Sequence, residues 1–353
     1  MTDLLRSVLG FIVVLGVLVT VHELGHYLVA RWRGVTVEVF SLGFGPTLVS
    51  RIDRHGTIWK LSAIPLGGYV RMRGWAEFGA ESGASADPGS FGAKPLAARA
   101  AVVAAGPVAN FLLAIVLFSA IFATSGVPTV LPVVSKVLAG SPAQAAGLVK
   151  GDRIVSMNGA PISTFDQLSA VVAAHPGGRI ALSYERGGQT RSLDLSLGSV
   201  TAGGRQIGRL GIEGADVRMR RLSPPRALLR GVAVTWQASV TTLHGLWQLV
   251  DHQKGLNQLG GPVRIAQISG QAVAHGLTDL LSFMALLSVN LGLINLVPIP
   301  VLDGGHLLFY AAEAAAGRAL PRRVQEIALQ FGAALLVCLI VFVTWHDIAH
   351  LVG

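Results

Sequence analysis

Residues 22–26 read His-Glu-Leu-Gly-His, inside an apolar run, Leu4–Ala30, whose only other charged residue is Arg6. Two imidazoles at i and i+4 of an α-helix differ by about 40° in azimuth and about 6 Å in height. They face one point, which is the spacing that binds a single zinc ion, with Glu23 beside it as general base. In a soluble chain so short a match is a coincidence more often than not. Inside a hydrophobic helix, polar groups cost several kcal/mol unless they are satisfied. The segment therefore reads as a metalloprotease site at membrane depth.

Composition agrees with a membrane protein. Mean hydropathy is +0.58 and only 13% of residues are charged, against about 25% in ordinary soluble domains. Four stretches are long enough to cross about 30 Å of hydrocarbon: Leu4–Ala30, Ala100–Thr124, Leu280–Leu302 and Ile327–Trp345. The first has the basic start and apolar core of a signal peptide but no small-x-small cleavage site, and cleavage would discard the His-Glu-Leu-Gly-His motif. It is read as retained. The net charge of +9 does not imply nucleic acid, because the basic residues are scattered over juxtamembrane loops where anionic lipid accounts for them. The single cysteine, Cys338, lies in the fourth span and excludes an internal disulfide.

Orientation follows from basic residues in the loops. Arg31, Arg33, Arg51, Arg54, Lys60, Arg71, Arg73, Lys94 and Arg99 lie between the first two spans, and Arg318, Arg322 and Arg323 between the last two. Both segments belong in the cytoplasm, and the long Gly126–Asp279 segment outside. Residues 22–26 and Asp303 then share a depth near the cytoplasmic face.

Asp303 is the candidate third ligand. It follows Asn295-Leu-Val-Pro-Ile-Pro-Val-Leu, whose two prolines cannot continue a helix. Irregular backbone in a membrane is tolerated only against protein or a water-filled cavity. Asp303 could instead cap the next helix, since Asp is a favoured N-cap; at matched depth with the histidines, ligation is the preferred reading. Between the second and third spans, Val130–Val137 and Arg153–Met157 read as strands, Asn158-Gly159 as a tight turn and Thr164–His175 as an amphipathic helix. Arg179–Arg186 and Thr190–Leu197 read as a hairpin across Gly187-Gly188. From Pro224 to about Gly276 the pattern turns helical, as either an interfacial helix or one packed on the spans. Gly79–Gly92 reads as a Gly/Ser/Ala-rich loop.

These motifs, in this order, resemble the site-2 protease family of intramembrane zinc metalloproteases, in particular the bacterial regulator-of-sigma-E protease group. Gly67-Gly68-Tyr69-Val70, Gly106-Pro107-Val108-Ala109-Asn110-Phe111 and Gly260-Gly261-Pro262 share in the resemblance. So do Ser141–Leu148, Gly151-Asp152 and Asn158-Gly159, which resemble a PDZ domain. Many members carry two such domains, and this chain has room for one.

The resemblance implies a polytopic α-helical membrane protein of four transmembrane helices, with a membrane re-entrant β-hairpin and an inserted extracytoplasmic α+β PDZ domain. The expected segments are 1–34 (first span), 35–99 (hairpin and loop), 100–124, 127–215 (PDZ), 216–279 (juxtamembrane helical region), 280–302, 303–326 (cytoplasmic loop) and 327–345. It also implies one zinc per chain on His22, His26 and Asp303, with Glu23 catalytic, in a bacterial inner membrane. Substrates would be single-span proteins, such as an anti-sigma factor first cut by a site-1 protease, or remnant signal peptides. The Val35–Arg73 hairpin, turning at Arg54-His55-Gly56, would hold unwound substrate along an edge at Gly67, Gly68, Tyr69 and Val70. Asn295 would either bind substrate backbone or satisfy groups freed by the helix break. Leu210, Gly211 and Ile212, with the helix Thr164–His175, would form a peptide groove or a plain closing strand. A non-catalytic adaptor is disfavoured by the intact Glu23 and ligand set, and a metal transporter by the lack of a ligand chain across the bilayer.

Overall fold

The computed structural model describes residues 2–75, 87–202, 204–214, 216–252 and 261–352. The expected loop Gly79–Gly92 falls largely outside these, as residues 76–86 do. The chain forms two compact units: residues 1–122 with 223–353, and an insertion at 123–222. Among the described residues, four helices are long and apolar enough to cross a membrane, over Asp3–Trp32, Leu96–Thr124, Leu277–Leu296 and Arg322–Trp345.

Helix α1 spans Thr2–Trp32. Its buried stripe runs Val14, Leu18, His22 and His26, an i, i+4 series, so the histidines continue the line that packs into the bundle. The next segment is not a plain hairpin. Strands β1 (Val37–Ile52) and β2 (Ile58–Met72) each bend and contribute two paired stretches. Val37–Leu42 pairs antiparallel with Gly68–Met72, Phe40 opposite Val70 and Leu42 opposite Gly68. On its other side it runs alongside Ile58–Leu61, with Val39 opposite Ile58 and Leu42 opposite Leu61. Thr47–Ile52 completes a four-stranded sheet by pairing with Ile58–Ser62. The bends need backbone that ordinary residues avoid: Gly43, Gly45 and Gly67 have φ of 87°, 84° and 124°. Asp53 closes the turn, accepting from the His55 and Thr57 N–H groups, the Trp59 indole and the Tyr27 hydroxyl of α1.

Helix α2 spans Leu96–Thr124, with Pro107 inside it. The inserted unit then runs through β3 (Val127–Val130), β4 (Val134–Val137), α3 (Pro142–Ala145), β5 (Arg153–Met157), β6 (Ala160–Pro161) and α4 (Phe165–Ala173). It continues with β7 (Arg179–Arg186), β8 (Gln189–Ser196), β9 (Gly198–Ala202), β10 (Arg205–Arg209), β11 (Ile212–Gly214) and β12 (Val217–Arg220). Thr164 caps α4 through the Gln167 N–H, and Asn158 and Gly159, at φ 49° and 78°, turn β5 into β6. The core gathers Ile154, Met157, Leu168, Ile180 and Leu182. Burial alone would raise the pKa of Asp152, but hydrogen bonds from Arg186, at 2.6 and 2.7 Å, and from the Val149 N–H outweigh it and hold the carboxyl below its usual range.

The unit extends past residue 215, because β12 pairs with β3, Val217 opposite Val130. Val130–Val137 is two strands rather than one, with Leu131–Val133 between them.

Beyond the insertion, α5 (Pro224–His252) packs on α2, its Val234 in a cluster with Phe118 and Ile121 and its Gly231 against Ser119. Thr242 donates to Asn290. Of the two readings of this region, α5 takes packing on the spans. Helix α6 (Pro262–His275) crosses α1, where Gly10 meets Ser269 and Gly270 meets Ser7. Helix α7 is Leu277–Leu296 and stops six residues before the expected end of the third span, since the two prolines occupy 298 and 300. The segment expected as a cytoplasmic loop is instead helical from its first residue, as α8, Asp303–Ala316, ending on Gly317 at φ 66°. Helix α9 spans Arg322–Val352.

Candidate metal centre

Three elements converge on one buried point. Helix α1 supplies His22 and His26, which are 8% and 7% exposed. The start of α8 supplies Asp303. His22 Nε2 lies 3.1 Å from His26 Nε2 and 3.1 Å from Asp303 Oδ2, and His26 Nε2 lies 3.6 Å from that oxygen. Tetrahedral zinc with bonds near 2.0–2.1 Å places its ligand atoms about 3.3 Å apart, so the spacing fits. The chemistry fits too. His26 Nδ1 is 2.8 Å from the Val102 carbonyl of α2. A carbonyl only accepts, so Nδ1 carries the proton and Nε2 turns a lone pair toward Asp303. The carboxylate Oδ2 is buried without a well-formed hydrogen bond. Lewis-basic atoms converging this closely make a donor set that suits a metal cation.

The capping alternative for Asp303 does not hold. Leu302 occupies the N-cap position and no side chain caps the helix. Asp303 is the first helical residue, and its carboxylate goes to the histidines. The break before it is pinned by main-chain hydrogen bonds, Ile299 N–H to Val297 and Leu302 N–H to Ile299. A Cβ on Gly304 would strike the Leu296 and Val297 carbonyls, and one on Gly305 the Ile299 carbonyl. The two glycines let α8 begin against the break itself.

Helix α2 forms the remaining wall, a part that its motif alone does not reveal. A Cβ on Gly106 would collide with both imidazoles, coming within 2.7 Å of His22 Nε2. The wholly buried Asn110 places its side-chain amide 3.1 Å from His22 Nδ1. Gly25, between the histidines, brings α1 against α2, since a Cβ there would meet the Ala105 carbonyl and Ala109. The signal was present as Gly106-Pro107-Val108-Ala109-Asn110, but nothing local reveals that its small and polar residues face α1. Farther along, Arg99 on α2 and Glu313 on α8 make a largely buried ion pair of 2.7 Å, fixing the helix that carries Asp303 to the helix that carries Asn110.

Glu23 is half-buried beside the cluster. The strand Gly68–Met72 passes next to it: a Cβ on Gly68 would sit 3.7 Å from Glu23 Cγ, and the Val70 N–H interacts with the Glu23 carboxylate. Gly67 and Tyr69 share this strand end, Tyr69 stacked on Phe44. Among the described residues no other strand pairs with its outer edge. Asn295 is half-buried in the last turn of α7, eight residues before Asp303. Leu210, Gly211 and Ile212 lie in the inserted unit, apart in sequence and unit from the cluster. There the Gly211 carbonyl, at φ 82°, accepts from the Leu138 N–H, and β11 pairs with β4.

The family model described as peptidase family M50 matches residues 10–351. An Agrobacterium fabrum protein described as a zinc metalloprotease is 42% identical over 98% of this chain and 96% of its own length. A Rhizobium meliloti protein of the same description is 42% identical over 97% and 96%. The regulator of sigma E protease of Salmonella typhi is 32% identical over 99% of this chain and 100% of its own. Among solved structures, the PDZ domain of an SdrC-like protein from Listeria monocytogenes is 20% identical over 23% of this chain and 84% of its own, at a TM-score of 0.21. With a family match over nearly its whole length and relatives that align from end to end, the chain belongs to peptidase family M50 and is a zinc metalloprotease.

Proposed function

We propose that this metalloprotease cuts transmembrane segments of single-span proteins, with zinc held by His22, His26 and Asp303. One juxtaposition carries the reading: the carboxylate beside the candidate ligands, Glu23, also lies beside an open strand edge, where a Cβ on Gly68 would be 3.7 Å from its Cγ. A transmembrane helix hides its peptide bonds in its own hydrogen bonds and must unwind before it can be cut. The edge at Gly67, Gly68, Tyr69 and Val70 offers replacement partners by adding substrate as a further strand. That delivers an extended peptide to the site's acid–base group. When bound, zinc supplies a Lewis acid and brings the pKa of a water toward about 7. Glu23 would take a proton from the attacking water as its oxygen bonds the scissile carbonyl carbon, and would return that proton to the amide nitrogen as the C–N bond breaks. Asn295, on the last turn before the break, donates its side-chain amide to the substrate backbone.

By family likeness the substrates are an anti-sigma factor already trimmed by an upstream site-1 protease, and remnant signal peptides. The basic loops support a reading in which the metal centre lies toward the cytoplasmic face and the inserted domain outside, in a bacterial inner membrane by family likeness. That domain acts as a PDZ module that screens substrates, with Leu210–Ile212 and α4 bordering its groove. The test is cleavage of a single-span model substrate by purified protein in detergent. Glu23→Gln should abolish cleavage, and a zinc chelator should do the same to the wild type, while the variant stays folded with its metal. Cleavage by Glu23→Gln near the wild-type rate would defeat the mechanism.

A further inference from the structure

We propose that Asn110 is the positioning residue that sets the tautomer of His22 for metal binding. The inference rests on His22 being a zinc ligand. The two histidines are held from behind by the same helix, α2, in different ways. His26 Nδ1 faces the main-chain carbonyl of Val102 at 2.8 Å, a group that can only accept, so its free nitrogen is always Nε2. His22 Nδ1 faces the Asn110 side-chain amide, whose atom assigned as Nδ2 lies 3.1 Å away, and an amide can either accept or donate. The oxygen and nitrogen of an amide are nearly identical in shape, so chemistry decides which one faces the ring. If the oxygen faces it, Nδ1 carries the proton and the Nε2 lone pair points at the shared site, as in His26. If the nitrogen faces it, the proton moves to Nε2, which can then only donate to Asp303 Oδ2 at 3.1 Å. Only the first arrangement leaves a nitrogen that can bind metal.

Two further observations separate this role from packing. The residue is wholly buried, and its second amide atom has no hydrogen-bond partner. A buried unpaired polar atom costs about 1–3 kcal/mol, which an apolar residue of similar size would not incur. Its main chain is also fixed, because the Ser288 hydroxyl of α7 donates to the Asn110 carbonyl at 2.8 Å. The amide is thus held at one height on His22 by a helix outside the ligand set.

The test is zinc affinity of the full-length protein in detergent, by competition with a chelator, for wild type, Asn110→Leu, Asn110→Asp and His22→Ala. A carboxylate accepts and cannot donate, so Asn110→Asp should keep zinc within about threefold of wild type, or bind it more tightly, while Asn110→Leu weakens it roughly 10–100-fold, the usual effect of losing a group that orients a ligand. Wild-type affinity in Asn110→Leu would overturn the proposal, as would an Asn110→Asp loss equal to that of Leu. If Asn110→Leu does not fold, Asn110→Asp decides alone: near-wild-type affinity supports the proposal and a roughly tenfold loss overturns it. His22→Ala separates the two failures. If it too keeps wild-type affinity, the ligand assignment has failed; if it alone loses zinc, only the role of Asn110 has.

Discussion

Glycines do as much for the candidate metal centre as the proposed ligands do, by leaving room. Gly25 lets α1 approach α2, Gly304 and Gly305 let α8 start against the helix break, and Gly106 leaves the volume that both imidazoles need. The last has a sharp consequence. The rings are held from behind at Val102 and Asn110 and cannot retreat from a new methyl group. Gly106→Ala should therefore weaken zinc binding at least about tenfold, read by the same competition assay, whereas Gly16→Ala, where a Cβ meets nothing within 4 Å, should leave it unchanged. Equal affinities in the two variants would mean that the rings are not confined as described. At this scale the sequence was most legible. His22, Glu23 and His26 are bound together by helical spacing, which is local, and Asp303 was reached because proline breaks a helix by covalent necessity. Asn110 was not given a role, since its value depends on which residue of another helix lies across from it.

Elements were legible where their cause is local and were misread where tertiary contact decides. Strand β5 is Arg153–Met157 as the alternation suggests, and Asn158-Gly159 turns as its residue types demand. The sheet of β1 and β2 is different. Alternation marks Val35–Arg73 as extended, but whether two long strands make one hairpin or fold across each other depends on bends at Gly43, Gly45 and Gly67 that only the packed sheet requires. The fold-over makes Gly68–Met72 an edge strand next to Glu23, which a straight hairpin would not specify. Position between two spans, next to Arg318, Arg322 and Arg323, makes the α8 segment look like a loop; its support comes from the Arg99–Glu313 pair and from Tyr310 buried under Arg99. Strand β12 is short and basic, with little local signal, and is ordered by pairing with β3.

For the whole molecule, four apolar helices and a basic-loop asymmetry predict an orientation that labelling can check. In a Cys338→Ala background, a cysteine at the exposed Arg318 should be shielded from a membrane-impermeant thiol reagent in intact cells, and one at the exposed Ser199 should react. The reverse pattern would put the metal centre toward the outer face and exclude the proposed topology. The proposed zinc site lies where α1 and α8 meet. Metal analysis of purified protein tests it most directly. Wild type and Glu23→Gln should each contain about one zinc per chain, and His22→Ala, His26→Ala and Asp303→Ala should each lose most of it. Full zinc retention in the three ligand variants would contradict the assignment.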